Sequence, residues 1–387
     1  MASYKKDRVF ESITPYGNRP MLLPIVGSVN YEYVSFDVLN RIRSGEVLGY
    51  TYDRDDNPTV RMLERQIAPM EGGEDCILCT SGCAALAMIY FTYLHAGEQV
   101  LIFNEIYGGN YKISLILERL GVEVIWLEID HPEQVEENIS EKTRMIVCES
   151  PSNPLSKVVD IRYLCEQAGR AGAMVIVDNT YATPYHQHPF ELGADLIMHS
   201  ATKAMGGHND LMAGAIFCKT KQQYEDLWYT RQAIGTLLDP YSASFLERGL
   251  KTFDVRIQKM SQNALAIAEF LEKHPLVEKV YYPGLESDPG HKIACGQMEK
   301  GFGGMLAFEL KGELEDTQKF IEKLKFIHHA ISLGCTETLV GLPFSSTMTY
   351  WREEDRLRFG VKPKTIRLSA GIEEKDELIA DLAQALS

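Results

Sequence analysis

Between residues 57 and 219 the chain alternates short apolar runs with segments of helical spacing, such as Ile161–Ala171. Continuous apolar runs of this length are typical of strands that are buried on both faces. Their alternation with helices predicts an α/β domain, a mostly parallel sheet with helices on both faces. The predicted strands are Cys76–Cys79, Val100–Phe103, Val122–Leu127, Met145–Cys148, Met174–Val177, Leu196–Met198 and Ala213–Cys218. Ligands of such sheets bind at the carboxyl ends of the strands.

The pattern differs on either side of this region. Residues 1–56 are irregular and rich in proline, which predicts an extended arm of the kind that often reaches a partner subunit. Residues 57–250 make up the predicted α/β domain, and the long helical pattern of Tyr241–Lys273 leads out of it. Residues 251–387 predict a smaller α+β domain with strands at Val277–Tyr282, Met305–Leu310 and Ile366–Leu368 and helices at Leu314–Leu324 and Lys375–Leu386.

The formal net charge of the 387 residues is −15, so we expect neither nucleic acid nor membrane as a partner. The N-terminus has no apolar core of signal-peptide type, and no run approaches the roughly 20 apolar residues of a membrane span. We therefore expect a cytoplasmic protein. The eight cysteines suit reduced core thiols. Cys76 and Cys79 form a lone CxxC without a second pair, so we predict no metal site.

Polar residues follow three of the predicted strands. Thr80–Ala85 places small residues between a strand and a helix, which suits either a phosphate at a helix N-terminus or a tight turn. Asp178 ends a strand, where it could cap a helix, bind a metal or pair with a protonated ring nitrogen. Lys203 follows another strand, with Ser200 and Thr202 beside it, although a lone lysine is usually solvated.

Considered together, these clusters predict one site. The 25 positions between Asp178 and Lys203 (203 − 178) leave room for one helix and one strand, so both residues would stand at neighbouring strand ends. A pyridine aldehyde with a phosphate group needs such a set: a lysine for the Schiff base, a carboxylate for the ring nitrogen, and hydroxyl and N–H groups for the phosphate. The sequence therefore predicts pyridoxal 5′-phosphate (PLP) as the cofactor.

Further blocks occur in order along the chain: Tyr52-Asp53-Arg54, Asn57-Pro58-Thr59, Ile106-Tyr107-Gly108-Gly109, 149–154, 177–184, 200–203, Gly206-Gly207-His208, 248–252, Gly303-Gly304-Met305, Ser332-Leu333-Gly334 and 366–369. With these blocks the chain resembles the Cys/Met-metabolism PLP enzymes of fold type I, which include cystathionine lyases, cystathionine γ-synthase and methionine γ-lyase. The resemblance extends from about Tyr50 to Leu386.

The resemblance implies how the cofactor would be held. Lys203 would form the Schiff base and later carry protons, and Asp178 would keep the pyridine nitrogen protonated. Tyr107 would stack on the ring, and Asn153 would bond its phenolic oxygen. The phosphate would be held by Gly82, Cys83, Ser200 and Thr202.

The resemblance also implies the substrate contacts and the assembly. Arg367, aided by Ser332, would bind the α-carboxylate of an amino acid in a bidentate pair; the alternative for Arg367 is a structural ion pair. Tyr52 and Arg54 would reach the phosphate of a neighbouring subunit. The chain would then form a homo-oligomer, with a dimer of dimers as the expected homotetramer.

The chain departs from the family's pattern at several positions. Asp53 stands where the family has serine, and Asp55 and Asp56 follow; the three form either a solvated acidic turn or part of the pocket. Ile331 replaces the glutamate of cystathionine enzymes, as in methionine γ-lyases, whereas Gly109 stands where those lyases have cysteine. The family's Met-Thr-His is Met348-Thr349-Tyr350 here, with a two-residue insertion in 344–346.

These observations predict a PLP-dependent lyase that eliminates a β- or γ-substituent from an L-amino acid and releases a 2-oxo acid and ammonia. Gamma-replacement on an O-acyl-homoserine or similar substrate is the alternative, since both reactions use the same residues. A non-catalytic PLP-binding homologue is a second alternative, against which Lys203, Asp178 and Arg367 argue. A nicotinamide enzyme would need a G-x-G-x-x-G after the first strand, which Thr80–Ala85 lacks.

Overall fold

The computed structural model describes residues 20–349, 351–352, 355–356 and 360–387. The predicted absence of a signal peptide concerns a stretch that lies largely outside these residues, and Tyr350 lies outside them as well. In the described part of the arm, one short helix, α1 (Phe36–Arg43), interrupts the irregular chain. The interpretation of the whole arm as extended was therefore wrong for these eight residues, in which Phe36, Leu39 and Ile42 stand at helical spacing.

The first sheet has seven strands: β1 (Asp75–Cys79), β2 (Gln99–Phe103), β3 (Glu123–Leu127), β4 (Thr143–Glu149), β5 (Met174–Asp178), β6 (Leu196–His199) and β7 (Gly214–Cys218). Their order is β1-β7-β6-β5-β4-β2-β3. In this sheet β7 runs antiparallel to both of its neighbours, and the pairs from β6 to β3 are parallel. The mostly parallel sheet predicted from the apolar runs is confirmed.

Helices cover both faces of this sheet. They are α2 (Pro58–Ile67), α3 (Gly82–Tyr93), α4 (Gly108–Arg119), α5 (Gln134–Asn138), α6 (Ile161–Ala171), α7 (Thr183–His186), α8 (Lys221–Ile234) and α9 (Pro240–Leu250). Successive side chains of β4 alternate between the two faces: Val147 packs in the core under α3 and α4, and Ile146 packs in the core under α6. This double burial is why the strands read as continuous apolar runs.

The second sheet has five strands: β8 (Val277–Tyr281), β9 (Met305–Leu310), β10 (His328–His329), β11 (Leu339–Gly341) and β12 (Ile366–Ser369). Their order is β10-β11-β12-β9-β8. The helices of this part are α10 (Phe253–Glu272), α11 (His291–Gln297), α12 (Leu314–Lys323) and α13 (Lys375–Ala385). Apolar side chains of α10, α12 and α13 pack against β9 and β12 in one core, so this part is α+β, as predicted.

One predicted element divides in two. The helical pattern of Tyr241–Lys273 belongs to α9 and α10, which meet at Thr252, where φ is −115° and ψ is 11°. The carbonyl group of Gly249 at the end of α9 accepts a hydrogen bond from Arg256 Nη2 at 2.8 Å. Apolar spacing indicates which positions are buried, but it does not indicate a change in the direction of the helix axis. The same spacing continues through both helices, so the sequence predicted a single helix.

Other bounds agree with the predictions within two residues, and Ile161–Ala171 and Met305–Leu310 agree in full. The domain boundaries at 56/57 and 250/251 stay predictions. In the part of the chain that the structure describes, no helix is long and apolar enough to cross a membrane.

Candidate active site

A cavity of about 220 Å³ lies at the carboxyl ends of β4, β5 and β6. This is the edge of a parallel sheet at which ligands bind. The cavity brings together most of the predicted site residues. Its lining consists of Ser81, Gly82, Cys83, Leu86, Tyr107, Glu149, Asn153, Asp178, Thr180, Tyr181, Met198, Ser200, Thr202, Lys203, Met212 and Leu333.

Lys203 lies in the turn that follows β6. Its backbone N–H donates to Ser200 O at 3.0 Å, and its Nζ donates to Ser332 Oγ at 3.1 Å. Burial lowers the pKa of Lys203, and the positive charge of Arg367 lowers it further. A larger fraction of this amine is therefore neutral and nucleophilic than of an ordinary surface lysine.

Asp178 ends β5, and β5 pairs directly with β6, whose chain leads to Lys203. Both residues therefore reach the same cavity from neighbouring strands. Burial raises the pKa of Asp178, whereas hydrogen bonds from the Thr180 hydroxyl and the Thr180 N–H, together with the charge of His199, act in the opposite direction. A buried carboxylate with hydrogen-bond donors on one side is suited to receive a cationic ring nitrogen on the other.

The phosphate candidates surround the N-terminus of α3. Gly82 and Cys83 form its first turn, where N–H groups have no partner within the helix, and Ser81 caps it by accepting from Ala84 N at 3.1 Å. A Cβ atom added to Gly82 would lie only 2.9 Å from Ser200 Cβ, so glycine is required for the loop after β6 to approach this closely. The cradle is lined by backbone and hydroxyl groups, which suits an anion.

Tyr107 and Asn153 both line the cavity and are held by different partners. The Tyr107 N–H donates to Glu149 Oε1 at 2.7 Å, and the Tyr107 ring lines the cavity with 42% of the residue exposed. Asn153 Oδ1 accepts from Arg367 Nη1 at 3.2 Å. These contacts place an aromatic face and an amide beside Lys203, as the cofactor ring requires.

Arg367 comes from the second sheet, in the middle of β12. Its Nη2 donates to Ile331 O at 2.8 Å, and the residue is 5% exposed. Within the described residues none of the ion pairs includes Arg367, so the structural ion pair that was the alternative is not found there. Ser332 contacts both cations: its backbone O accepts from Arg367 Nη2 at 3.4 Å, and its hydroxyl accepts from Lys203 Nζ. The side chain of Ile331 is 68% exposed.

Tyr52 and Arg54 do not line the cavity of their own chain. Tyr52 is 42% exposed, the Arg54 side chain is 60% exposed, and the Arg54 guanidinium lies 5.5 Å from the centre of the Tyr52 ring. The neighbouring aspartates contact the arm itself: Asp53 Oδ1 accepts from Asn57 Nδ2 at 2.6 Å, and Asp55 Oδ2 from Thr51 Oγ1 at 3.4 Å. Asp56 points away from the arm, and its Oδ1 lies 3.5 Å from Arg231 Nη2. The acidic cluster thus forms a turn before α2, and none of its three side chains lines the cavity.

Glu149 is a cavity residue that the sequence reasoning did not select. It ends β4 and is 4% exposed. Like Asp178, it is an acidic residue directly after an apolar run, and that signal was present in the block 149–154.

The residues present fit PLP by the chemistry of their donors and acceptors. A lysine, a buried carboxylate and a glycine-bounded helix N-terminus line one cavity, in the combination that an aldehyde, a ring nitrogen and a phosphate need. The glycine position tests this fit, since a Cβ at Gly82 would fill the cradle against Ser200. Among the residues that the structure describes, no three His, Cys, Asp or Glu side chains are grouped as metal ligands.

Comparison with known proteins agrees with this geometry. The model of the family "Cys/Met metabolism PLP-dependent enzyme" matches residues 14–387. A cystathionine γ-lyase of Bacillus subtilis is 38% identical over 93% of this chain and 94% of its own length. An L-methionine γ-lyase of Fusobacterium nucleatum is 40% identical over 95% of this chain and 93% of its own length. The solved cystathionine γ-synthase of Xanthomonas oryzae, in complex with aminoacrylate and cysteine, superposes with a TM-score of 0.91 at 33% identity and covers 97% of this chain and 95% of its own.

Proposed function

Because the chain belongs to the Cys/Met metabolism PLP-dependent enzymes, we propose that it is a lyase that removes a sulfur-containing group from Cβ or Cγ of an L-amino acid. With water as the second reactant, the products would be a thiol, a 2-oxo acid and ammonia. The predicted family, its fold, PLP as the cofactor and the assignment to enzymes are confirmed by the family match and the relatives.

One observation carries the proposal. Lys203, Asp178 and the cavity wall near Arg367 converge at one sheet edge, and both cations contact neutral groups, Ser332 Oγ and Asn153 Oδ1. The charges of a site that only stabilises the fold would pair with each other. Here they are left for a ligand with an electrophilic carbon and a carboxylate.

The bound cofactor would withdraw electrons from the substrate Cα, which makes the Cα proton removable. Lys203 Nζ would take that proton, because burial lowers the pKa of this lysine and leaves it able to accept. Asp178 would hold the ring nitrogen in its protonated form. Gly82, Cys83, Ser200 and Thr202 would hold the phosphate, and Tyr107 and Asn153 would hold the ring.

The planar guanidinium of Arg367 would bind the substrate α-carboxylate through two parallel hydrogen bonds. Its position in β12, between β11 and β9, makes it a rigid part of the second sheet. Asn153 Oδ1 and Ile331 O fix the guanidinium plane. This arrangement supports selection of an α-amino acid over a plain amine.

The active unit in this proposal is a homo-oligomer, with Tyr52 and Arg54 completing the site of a neighbouring subunit. The arm exposes large apolar side chains that a partner would cover: Met21 is 93% exposed, Val34 90% and Phe36 86%. A tetramer formed by two such dimers and a cytoplasmic location belong to the same proposal. The eight unpaired cysteines support a reducing compartment.

The proposal also covers substrate choice. Ile331 and Met212, both 68% exposed, offer apolar surface near the cavity, and an ammonium buried unpaired against such surface costs several kcal/mol. We therefore expect uncharged side chains, as in S-alkyl or O-acyl amino acids, to give a higher kcat/KM than cystathionine.

Activity on a substrate panel tests the function. The purified protein with PLP should release a 2-oxo acid and a thiol from methionine, cystathionine or an S-alkyl amino acid. Lys203→Ala should abolish the visible absorbance of bound PLP and lower kcat by about 10³-fold or more, whereas Lys221→Ala, at a side chain that is 74% exposed, should change neither. A Lys203→Ala variant with the kcat of the parent would contradict the proposal.

A second candidate, γ-replacement, is favoured by the 0.91 TM-score with a cystathionine γ-synthase. The same panel separates the two reactions. With an O-acyl-homoserine and cysteine together, a synthase would form cystathionine faster than 2-oxo acid. If cystathionine is the main product, the protein is a γ-replacement enzyme and the proposed elimination is wrong.

Subunit complementation tests the shared site. Arg54→Ala and Lys203→Ala proteins, mixed after verified subunit exchange, should regain activity, because one site in each heterodimer keeps both residues. No recovery would assign Arg54 to its own chain.

A further inference from the structure

Glu149 and Asp178 stand side by side at the cavity edge of the sheet. They end the parallel strands β4 and β5 and are Cα partners in the register of that pair. Both side chains line the cavity, and Glu149 is 4% exposed and Asp178 7%. Two carboxyl groups in this arrangement do not both ionise, because like charges in a poorly solvated space repel each other.

The carboxyl group of Glu149 holds the start of α4. Its Oε1 accepts from the backbone N–H of Tyr107 at 2.7 Å, across 42 positions of chain. Tyr107 is the residue before the first turn of α4, and its own side chain makes no capping hydrogen bond. The Tyr107 ring packs closely against Gly109 in α4, since a Cβ added to Gly109 would lie 2.5 Å from Tyr107 Cε1 and 2.6 Å from Cys83 Sγ. Because the ring has so little free space, movement of the Tyr107 backbone would displace the ring from its place at the cavity.

The hydrogen bonds of the pair differ. Asp178 accepts from both the N–H and the hydroxyl of Thr180, whereas Glu149 accepts, among the described residues, from the Tyr107 N–H alone. Burial and the charge of Asp178 raise the pKa of Glu149 well above its ordinary value, against the Tyr107 N–H and the charge of Arg367. The titratable groups that act on Glu149 or feel its charge are Asp178, Arg367, Tyr90, Cys148 and Tyr181. The two donors of Thr180 favour the negative charge of the pair on Asp178, which leaves Glu149 as the group to carry the proton.

We propose that Glu149 is a positioning residue: its neutral carboxyl group fixes Tyr107 at the cavity, and its proton leaves the negative charge of the pair on Asp178. The inference rests on the proposed function, because it assigns Tyr107 and Asp178 to the PLP reaction. Glu149 acts through these two residues and not on the substrate.

Two substitutions separate the hydrogen bond from the charge. Glu149→Ala removes the acceptor of the Tyr107 N–H, so kcat should fall by about 10- to 100-fold, with a smaller change in KM. Glu149→Gln keeps a carbonyl acceptor of the same size, so its kcat should be about tenfold higher than that of Glu149→Ala. Glu118→Gln, on the exposed face of α4, is the matched control and should behave as the parent. Equal losses in Glu149→Gln and Glu149→Ala would overturn the inference.

A double-mutant cycle shows whether Glu149 acts through Tyr107. In a Tyr107→Ala background there is no ring to position, so Glu149→Ala should cost less than about threefold in kcat. A loss as large as in the parent would assign Glu149 a role of its own and contradict the positioning role. Melting temperatures of all variants identify any that fail to fold, and Glu149→Gln remains informative in that case.

Infrared spectroscopy tests the proton without the reaction. The difference spectrum between the cofactor-free parent and Glu149→Gln should contain the carbonyl band of a protonated carboxylic acid at neutral pH, and Glu118→Gln should not produce it. Absence of the band would overturn the inference even in a fully active enzyme. If the band is present and Lys203→Ala is still active, the proposed function fails while the assignment of the proton to Glu149 stands.

Discussion

Two clusters of buried charges border the large sheet, and they are organised in opposite ways. At β1, Arg231 and Arg61 contact Glu64, Asp75 and Asp56 directly, at distances between 2.5 and 3.5 Å. At the other strand ends, Lys203 in the cavity and Arg367, which contacts the cavity residue Asn153, contact neutral groups of the described residues instead. The first cluster, which we call the β1 network, pairs its charges with one another, whereas the charges of the second cluster are left for a ligand.

The difference separates a structural role from a catalytic one. Buried opposite charges that touch offset the loss of hydration of each partner, so the β1 network fixes α2, α8 and β1 to one another. Lys203 and Arg367, which have no ion-pair partner among the described residues, carry that cost until a phosphate, a carboxylate or a ring binds. Burial of a charge alone therefore does not identify an active site here, since Arg231 is more buried than Arg367. The feature that identifies the site is a buried cation without a counter-ion among the described residues.

The largest effect on stability is expected from breaking the β1 network. Arg231→Met leaves Glu64 and Asp56 with less compensation, because Arg231 contacts Glu64 Oε1 at 2.5 Å and Asp56 Oδ1 at 3.5 Å. The free energy of unfolding should fall by about 3–5 kcal/mol, measured by denaturant titration at a fixed protein concentration. Activity per folded molecule should stay near that of the parent. Arg119→Met, on the surface of α4, is the control, and equal stability of the two variants would contradict a structural role of the network.

A smaller effect, on binding and not on stability, is expected from Arg367→Lys. A lysine keeps the positive charge but loses the two parallel hydrogen bonds to a carboxylate, so KM should rise about 10- to 100-fold with kcat less affected. The melting temperature should hardly change, because none of the described ion pairs includes Arg367. Arg162→Lys, at an exposed position of α6, serves as the control. A large loss of stability with an unchanged KM would show that Arg367 has a structural role, like the arginines of the β1 network.

The smallest effect concerns the pH dependence of the β1 network. Burial, together with the charge of Glu64, raises the pKa of Asp56 from 3.8 to about 7. Between these values the unfolded chain has lost a proton that the folded chain keeps, so the contribution of Asp56 is complete below pH 3.8 and is lost as the pH rises to about 7. Asp56→Asn should remove this decrease, about 1 kcal/mol for a side chain that is partly exposed. Unfolding measured from pH 4 to 8 checks it, with the exposed Asp37→Asn as control; parallel curves for Asp56→Asn and the parent would contradict it.

Much of the fold was predictable because local patterns encode it. The strands from β1 to β7 were recognised as apolar runs since they are buried on both faces, and Ile161–Ala171 was recognised from its helical spacing. The break between α9 and α10 was missed because one apolar period continues through both helices. The helix α1 was missed although Phe36, Leu39 and Ile42 stand at helical spacing, because the prolines before it indicated an irregular chain.

The candidate site divides in the same manner. The sequence itself determined that Asp178 and Lys203 follow strands, and parallel strands share one carboxyl edge, so their meeting could be inferred from the chain order alone. Only the tertiary structure decided that Ser332 contacts Lys203 across 129 positions and that Arg367 contacts Asn153 across 214. It likewise decided that Glu149 stands beside Asp178, and that Asp53 and Asp55 contact their own arm whereas Asp56 contacts Arg231. Such contacts depend on how separate sheets and helices pack, and no local period of the sequence carries that information.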